Sequence, residues 1–354
     1  GATMGPVPAP STLVDRVRAV GRDAGLDALG FARAEPFTST RDDLVDRKAT
    51  GLHGGMQFTY RDPDRSTDPT RILDGARTLV VGARSYRRAT PPGRDGLTGR
   101  VAAYAWRDHY ADLRAGLRAV AGVLQAEGWQ TRVVADDNAL VDREAAVRAG
   151  LGWYGKNSTV LLPGHGSEFV LGSVVTDADL PVADERVADG CGPCRRCVDA
   201  CPTGAIVAPG VIDARRCLAW LVQAGGDFPE EHREALGDRI YGCDDCQDIC
   251  PVNRRSATVD GVREPEADAV DRVDLVALLR ADDEALLAAH GRWYIPDRDP
   301  RYLRRNALVA LGNSGRGDDP TVIDVLVAHR DGGDDLLARH AHWALDRLAP
   351  VAAG

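Results

Sequence analysis

Nowhere in this sequence do about 18 apolar residues follow one another, so no membrane-spanning helix is expected. Residues Gly1 to Pro10 show neither the charged nor the apolar stretch of a secretory signal, and a cytoplasmic protein is expected. Positive charge is not in surplus. The 44 Lys and Arg stand against 53 Asp and Glu, a formal net charge of −9. That excludes a uniformly basic nucleic-acid coat and confines any nucleic-acid contact to a local patch. Cysteine is missing everywhere except between positions 191 and 250, where all 8 lie. A secreted disulfide framework would be spread through a short chain without a core. This chain has 354 residues, 44% of them hydrophobic, and can bury a core, so metal ligation in a reducing compartment is the better reading. A dinucleotide fingerprint is absent too: Gly164-His165-Gly166-Ser167 is too short and lacks the following helix, which argues against a flavin or nicotinamide.

What is present reads as an α+β multidomain chain in three parts. In residues 11–185 helix and strand signals alternate, the pattern of an α/β domain. Ser11 is placed to cap a helix bearing Leu13, Val14, Val17 and Val20 on one face. Strands are expected at Thr78–Ala83, Arg132–Ala135 and Phe169–Thr176, and a helix from Asp108 to Glu127 stopped by Gly128. Residues 186–256 hold the cysteines. Residues 257–354 are mostly helical, with Leu275–Leu279, Asn306–Asn313, Thr321–His329 and Asp335–Leu348 as helical stretches. Short helices joined by Gly/Asp turns suggest a helical repeat, with a plain helical cap as the alternative.

The cysteine spacing carries the chemistry. Cys191-x-x-Cys194-x-x-Cys197-x-x-x-Cys201-Pro202 is the bacterial ferredoxin run, whose fourth Cys ligates the other cluster in two-cluster proteins. Cys243-x-x-Cys246-x-x-x-Cys250-Pro251 lacks a leading cysteine, and Cys217 supplies it from upstream. Two [4Fe–4S] clusters follow: cluster I on Cys191, Cys194, Cys197 and Cys250, cluster II on Cys201, Cys217, Cys243 and Cys246. Zinc is the alternative, since zinc ribbons also use C-x₂-C pairs, but the first run packs four sulfurs too tightly for one tetrahedral ion. With every Cys engaged, Cys–His nucleophilic chemistry is not expected. Two adjacent clusters imply one-electron transfer without naming what is reduced.

Beyond the cysteines, seven segments resemble the epoxyqueuosine reductase family over nearly the whole chain: Arg71–Ala83, Gly150–Asn157 (GLGWYGKN), Pro163–Asp177, Cys191–Ile206, Asp213–Cys217, Arg239–Asn253 (RIYGCDDCQDICPVN) and Arg304–Ser314 (RRNALVALGNS). The resemblance implies a cobalamin-binding N-terminal domain, with the cofactor beside cluster I, a ferredoxin-like double-cluster domain and a C-terminal HEAT-like domain that binds tRNA. The sequence has no Asp-x-His-x-x-Gly, which agrees with a family whose cobalt takes no His from the protein. The implied reaction removes the epoxide oxygen of epoxyqueuosine in the anticodon stem-loop of tRNA, leaving an alkene and water. It uses two electrons, delivered singly from an external donor such as ferredoxin or flavodoxin, and a monomer is expected.

The resemblance gives Asp136 the role of proton donor. A free Asp has a pKa of about 3.9, so a donor at neutral pH needs burial or a neighbouring negative charge. Asp137 supplies such a charge or is itself the acid, and an Asp-Asp-Asn turn cap is the plainer reading. This chain has Asp136-Asp137-Asn138-Ala139 where relatives carry Asp-Thr/Ser-Ala-Pro, and His109-Tyr110 where they carry Tyr-His; no role follows for the latter pair. Arg143 is expected to orient a carboxylate or cofactor amide, or to form a surface ion pair. Lys156, Asn157 and Ser158 are candidates for corrin amides, and Arg65 for a place near the cofactor. Between Arg292 and Arg316, 6 Arg face 2 Asp. Arg301, Arg304 and Arg305, with Trp293, Tyr294 and Tyr302 among them, form the candidate RNA-binding patch; a solvated helix face is the alternative. Two other readings remain: a cobalamin/iron–sulfur reductase of a small molecule, as reductive dehalogenases are, and a non-catalytic eight-iron electron carrier.

Overall fold

The computed structural model describes residues 12–89, 97–183, 185–259 and 262–349. Ser11 lies outside them. The first helix, Leu13–Asp23, is capped by Thr12, which accepts from the Asp15 N–H while Asp15 reaches back to the cap, a reciprocal capping box.

A four-stranded sheet forms the core of the N-terminal part. Its spatial order is Ala28–Arg33, Thr78–Ser85, Phe169–Thr176, Thr131–Val134. Every pair in it is antiparallel, so strand–helix alternation produces an α+β layer here and not the parallel sheet of an α/β domain. Thr78–Ala83 and Val170–Thr176 are buried throughout, because helices cover both faces. The helices Leu13–Asp23 and His109–Ala126 pack on one face through Val17, Leu113, Leu117, Val120 and Leu124. The short helix Asp142–Arg148 packs on the other through Ala145, Ala146 and Val147. Gly172 lets this packing close: a Cβ there would stand 2.6 Å from the Ala135 Cβ and 2.9 Å from the Leu117 Cδ1.

The three sequence segments are knitted together. A second sheet takes Thr98–Val101 as its centre, Arg239–Tyr241 parallel on one side and Arg272–Asp274 antiparallel on the other. It draws one strand from each segment. The apolar core beneath it is equally mixed, joining Val101 and Trp106 to Ile240 and Tyr241 and to Leu275, Leu303, Leu308 and Leu326. The C-terminal helices Arg301–Gly312, Pro320–Arg330 and Asp335–Leu348 pack on one another. Around the cysteines the chain forms short turns of helix, Arg196–Asp199 and Asp245–Asp248, which pack together, and a hairpin of Ile206–Ala208 with Val211–Ile212. Among the described residues no helix is long and apolar enough to cross a membrane.

Candidate active site

The loop after strand Thr131–Val134 holds the candidate acid. Asp136 has φ 54°, a left-handed backbone that a non-glycine residue adopts only when its surroundings hold it there. Three bonds do so. The Asp136 N–H donates to Asp142 Oδ2 at 3.2 Å, Ser66 Oγ donates to the Asn138 carbonyl at 2.7 Å, and the Val141 N–H donates to the Ser66 carbonyl at 2.9 Å. Asp137 closes the turn by accepting from the Ala139 N–H at 2.8 Å. The turn-capping role therefore falls to Asp137, and the Asp136 carboxyl is left without a hydrogen-bond partner among the described residues. That carboxyl has dense protein around it yet keeps an open face to solvent. Burial raises its pKa, Arg114 opposes the rise, and Asp108 and Asp137 add to it.

Two tyrosines not singled out in the sequence lie within the electrostatic reach of this acid, and a third, Tyr104, is bonded to one of them. Tyr110 is buried within the electrostatic reach of Asp136 and Asp142, with the Arg114 guanidinium 5.7 Å from its ring centroid. Tyr241 is held up to about 12 by burial; its hydroxyl accepts from the Tyr294 N–H at 2.9 Å, and it also feels Asp136. Tyr104 is bonded to Tyr241 and accepts from Gln223 Nε2 at 3.2 Å. A signal existed for Tyr110 alone: it opens a helix whose N-cap, Asp108, follows the aromatic stretch Tyr104–Trp106. His109 points away and is buried with both ring nitrogens unbonded, its pKa depressed to about 4 by burial.

The predicted cofactor residues divide. Arg143, next to Asp142, donates from Nη1 to the Ser158 carbonyl at 3.1 Å, and Ser158 Oγ donates to the Gly210 carbonyl at 2.7 Å. Arg65, adjoining Ser66, is exposed and its guanidinium makes no bond among the described residues. Lys156 and Asn157 turn to the cysteines: Lys156 Nζ donates to the carbonyls of Gly192 at 2.6 Å and Cys194 at 2.8 Å, and Asn157 Nδ2 to that of Cys246 at 3.3 Å.

All eight cysteines are free thiols and fall into two neighbourhoods. Burial raises the Cys197 thiol, and Cys191, Cys250 and Cys194 act on it further. Burial likewise raises Cys217, to which Cys201 adds, and takes Cys243 up to about 12 with Cys217 among its neighbours. Cys246 is raised by burial and by Cys243 and Cys217. Such thiols ionise only against a bound cation. Backbone N–H groups already face the sulfurs, as that of Ala205 does Cys201 Sγ at 3.2 Å. Among the described residues no three His, Cys, Asp or Glu side chains close on a single-ion position. The thiols of each set group without converging, as donors to separate iron corners do. Arg143 acts weakly on the Cys217 thiol of the second set, and Tyr241, which feels Asp136, lies two residues before Cys243.

The candidate RNA patch changes most. Arg305 is fully buried, donating to the carbonyls of Leu221, Ala224 and Gly226 and to Asn306 Oδ1 at 2.6 to 3.1 Å. It is unavailable to a phosphate, because its helix is enclosed on nearly every side. Arg304 is mostly covered and paired with Asp283 at 2.6 Å. Arg301 is exposed, paired with Asp299 at 2.6 Å and Asp334 at 3.2 Å. Trp293 is buried and stacked on Tyr241 at 4.5 Å, so it offers no base-stacking face; Tyr294 is 56% exposed and does.

Residues 190–253 match the 4Fe-4S double cluster binding domain family. The chain is 36% identical over 351 residues to the epoxyqueuosine reductase of Xanthomonas campestris pv. campestris, covering 96% of this chain and 97% of that one. Its structure is similar to a crystal structure of epoxyqueuosine reductase with an epoxyqueuosine-modified tRNA-Tyr stem loop (TM-score 0.85, 29% identity, 95% and 90% of the two chains). It is also similar to the Bacillus subtilis epoxyqueuosine reductase with its catalytic aspartate loop swung out of the active site (TM-score 0.84, 28% identity, 95% and 90%).

Proposed function

This chain belongs to the epoxyqueuosine reductase family, and on that footing we propose that it reduces epoxyqueuosine to queuosine in the anticodon loop of tRNA, with Asp136 as the proton donor. The observation that carries the assignment is the Asp136 carboxyl, unbonded among the described residues, its pKa raised, on a loop held in a left-handed backbone. The epoxide takes up two electrons and two protons, both C–O bonds break, and the products are an alkene and water. Asp136 hands one proton to the departing oxygen; Tyr110 and Tyr241 lie within its electrostatic reach.

Cys191, Cys194, Cys197 and Cys250 hold one [4Fe–4S] cluster, and Cys201, Cys217, Cys243 and Cys246 the other. The donor chemistry fits: four thiols in each neighbourhood, with backbone N–H groups aimed at sulfur. When bound, the clusters supply one-electron transfer, from an external donor such as ferredoxin or flavodoxin. We assign cobalamin a place beside Asp136, where the exposed Arg65 guanidinium has no partner among the described residues. Bound there, it would supply low-valent cobalt as the reductant. Arg65, Arg143 and Ser158 stand where its amides would be held; Lys156 and Asn157 brace the cysteine loops beside it. The tRNA stem-loop lies over Tyr294 and Arg301, at the start of the HEAT-like helix Arg301–Gly312. The enzyme acts as a monomer, in the cytoplasm.

The test is anaerobic turnover of an epoxyqueuosine-containing anticodon stem-loop with reductant and cobalamin, read by nucleoside analysis. Asp136→Asn is expected to lower turnover by about 10²- to 10⁴-fold with iron content unchanged. Turnover within a few-fold of the parent would remove Asp136 as the acid. No queuosine from the parent enzyme would remove the assignment.

A further inference from the structure

We propose that Asp142 is a positioning residue for the acid: through Oδ2 it clasps the backbone of Asp136 and sets the fraction of time the acid loop holds its left-handed conformation. The inference rests on the reading of Asp136 as proton donor, but its physical basis is separate. A left-handed backbone at an aspartate is strained and persists only where neighbours fix it. Asp142 Oδ2 takes the Asp136 N–H at 3.2 Å, and no other acceptor among the described residues bonds that amide. Asp142 begins the helix Asp142–Arg148, which is anchored on the sheet by Ala145, Ala146 and Val147, so the clasp joins a strained loop to a rigid element. The opposite side of the loop is tied by Ser66, 1% exposed, to the Asn138 carbonyl at 2.7 Å.

The chemistry of the clasp is unusual in one respect. An ionised carboxylate at this position would repel Asp136 and Asp137. Asp142 Oδ1 is closed to solvent and receives no hydrogen bond, and burial pushes this carboxyl well above the usual carboxylate range. Asp142 therefore stays neutral, accepting the amide on Oδ2 without a third negative charge beside the acid. Asparagine reproduces both properties: no charge, and a carbonyl oxygen at the same reach.

The experiment uses the cluster-loaded full chain and reads hydrogen exchange in the peptide spanning residues 134–141, with the peptide of strand Phe169–Thr176 as internal reference. Asp142→Leu is expected to speed exchange in the loop about tenfold or more, leave the strand unchanged, and lower kcat for the stem-loop with KM unchanged. Asp142→Asn is expected to restore both loop protection and kcat. Ser66→Ala, a smaller change in case the leucine variant folds poorly, should speed loop exchange in the same direction. Unchanged loop protection in Asp142→Leu would overturn the clasp; lost protection with unchanged kcat would overturn its positioning role. Asp136→Asn tests the parent reading apart from this one. That variant retains the amide and so the clasp, and active enzyme with a protected loop would refute the acid and not the clasp.

Discussion

Asp137 accepts the Ala139 N–H at 2.8 Å, whereas the neighbouring Asp136 carboxyl bonds nothing in the protein. One side chain makes the turn and the other is left for chemistry, a division the pair Asp136-Asp137 does not reveal in sequence, where either could be the acid. Because Asp137 raises the pKa of Asp136, its removal has a defined sign. Asp136 must be protonated to donate, so activity falls as pH rises through its pKa. Asp137→Asn, which keeps an oxygen for the Ala139 amide, is expected to move that alkaline limb to lower pH in a kcat/KM profile. Arg305 shows the opposite fate of a candidate functional residue. Its guanidinium is buried, held down to about 10 by burial, and satisfied by carbonyls with no carboxylate beside it. Arg305→Ala leaves those carbonyls unpaired and should cost about 3–5 kcal/mol in a denaturant titration, while the salt dependence of stem-loop binding stays as it was. Retained stability, or a salt slope reduced by about 1, would return Arg305 to the RNA surface.

Elements were legible where one chain segment decided them. Phe169–Thr176 is a strand over the limits its apolar run predicts, and the helix His109–Ala126 lies one residue inside its predicted bounds at each end. Thr98–Val101 had no such signal. It is four residues long, contains Gly99, and exists because Arg239–Tyr241 and Arg272–Asp274, distant in sequence, flank it. The helix Thr38–Ala49 buries only Leu44 among its twelve residues, so no apolar period marks it. The same reasoning explains the arginine run. RRNALVALGN reads as an apolar helix with a basic start, and only packing shows that Arg305 is already inside while Arg301, a turn earlier, stays exposed. At Gly99 an added Cβ would stand 2.8 Å from the Leu275 Cδ2 and 3.1 Å from the Ile240 Cβ. Gly99→Val should therefore part the second sheet and lower stability by about 1–3 kcal/mol, measured as a fall in thermal midpoint.

At the scale of the whole molecule the cysteine spacing made the strongest forecast, two clusters, and residues 190–253 match a double-cluster family; Cys250, from the second motif, acts on Cys197 in the first. Cys250→Ser is accordingly expected to deplete the cluster of the first motif and spare the other, seen as loss of about half the iron by metal analysis with one of two spectroscopic signals retained. Loss confined to the second motif's cluster would refute the crossed ligation. What spacing could not forecast is how the cysteine segment is fastened. Cys243 packs beside Leu218, Phe228, Leu236 and Val309, so the electron-carrying segment shares apolar contacts with the C-terminal helices. The sheet centred on Thr98–Val101 takes a strand from the N-terminal, cysteine and C-terminal segments alike. A gene cut at the ends of the cysteine segment would thus yield a ribbon missing both its partner strand and its apolar floor. Carried alone, the redox unit would lack the contacts that fasten it to the body it serves.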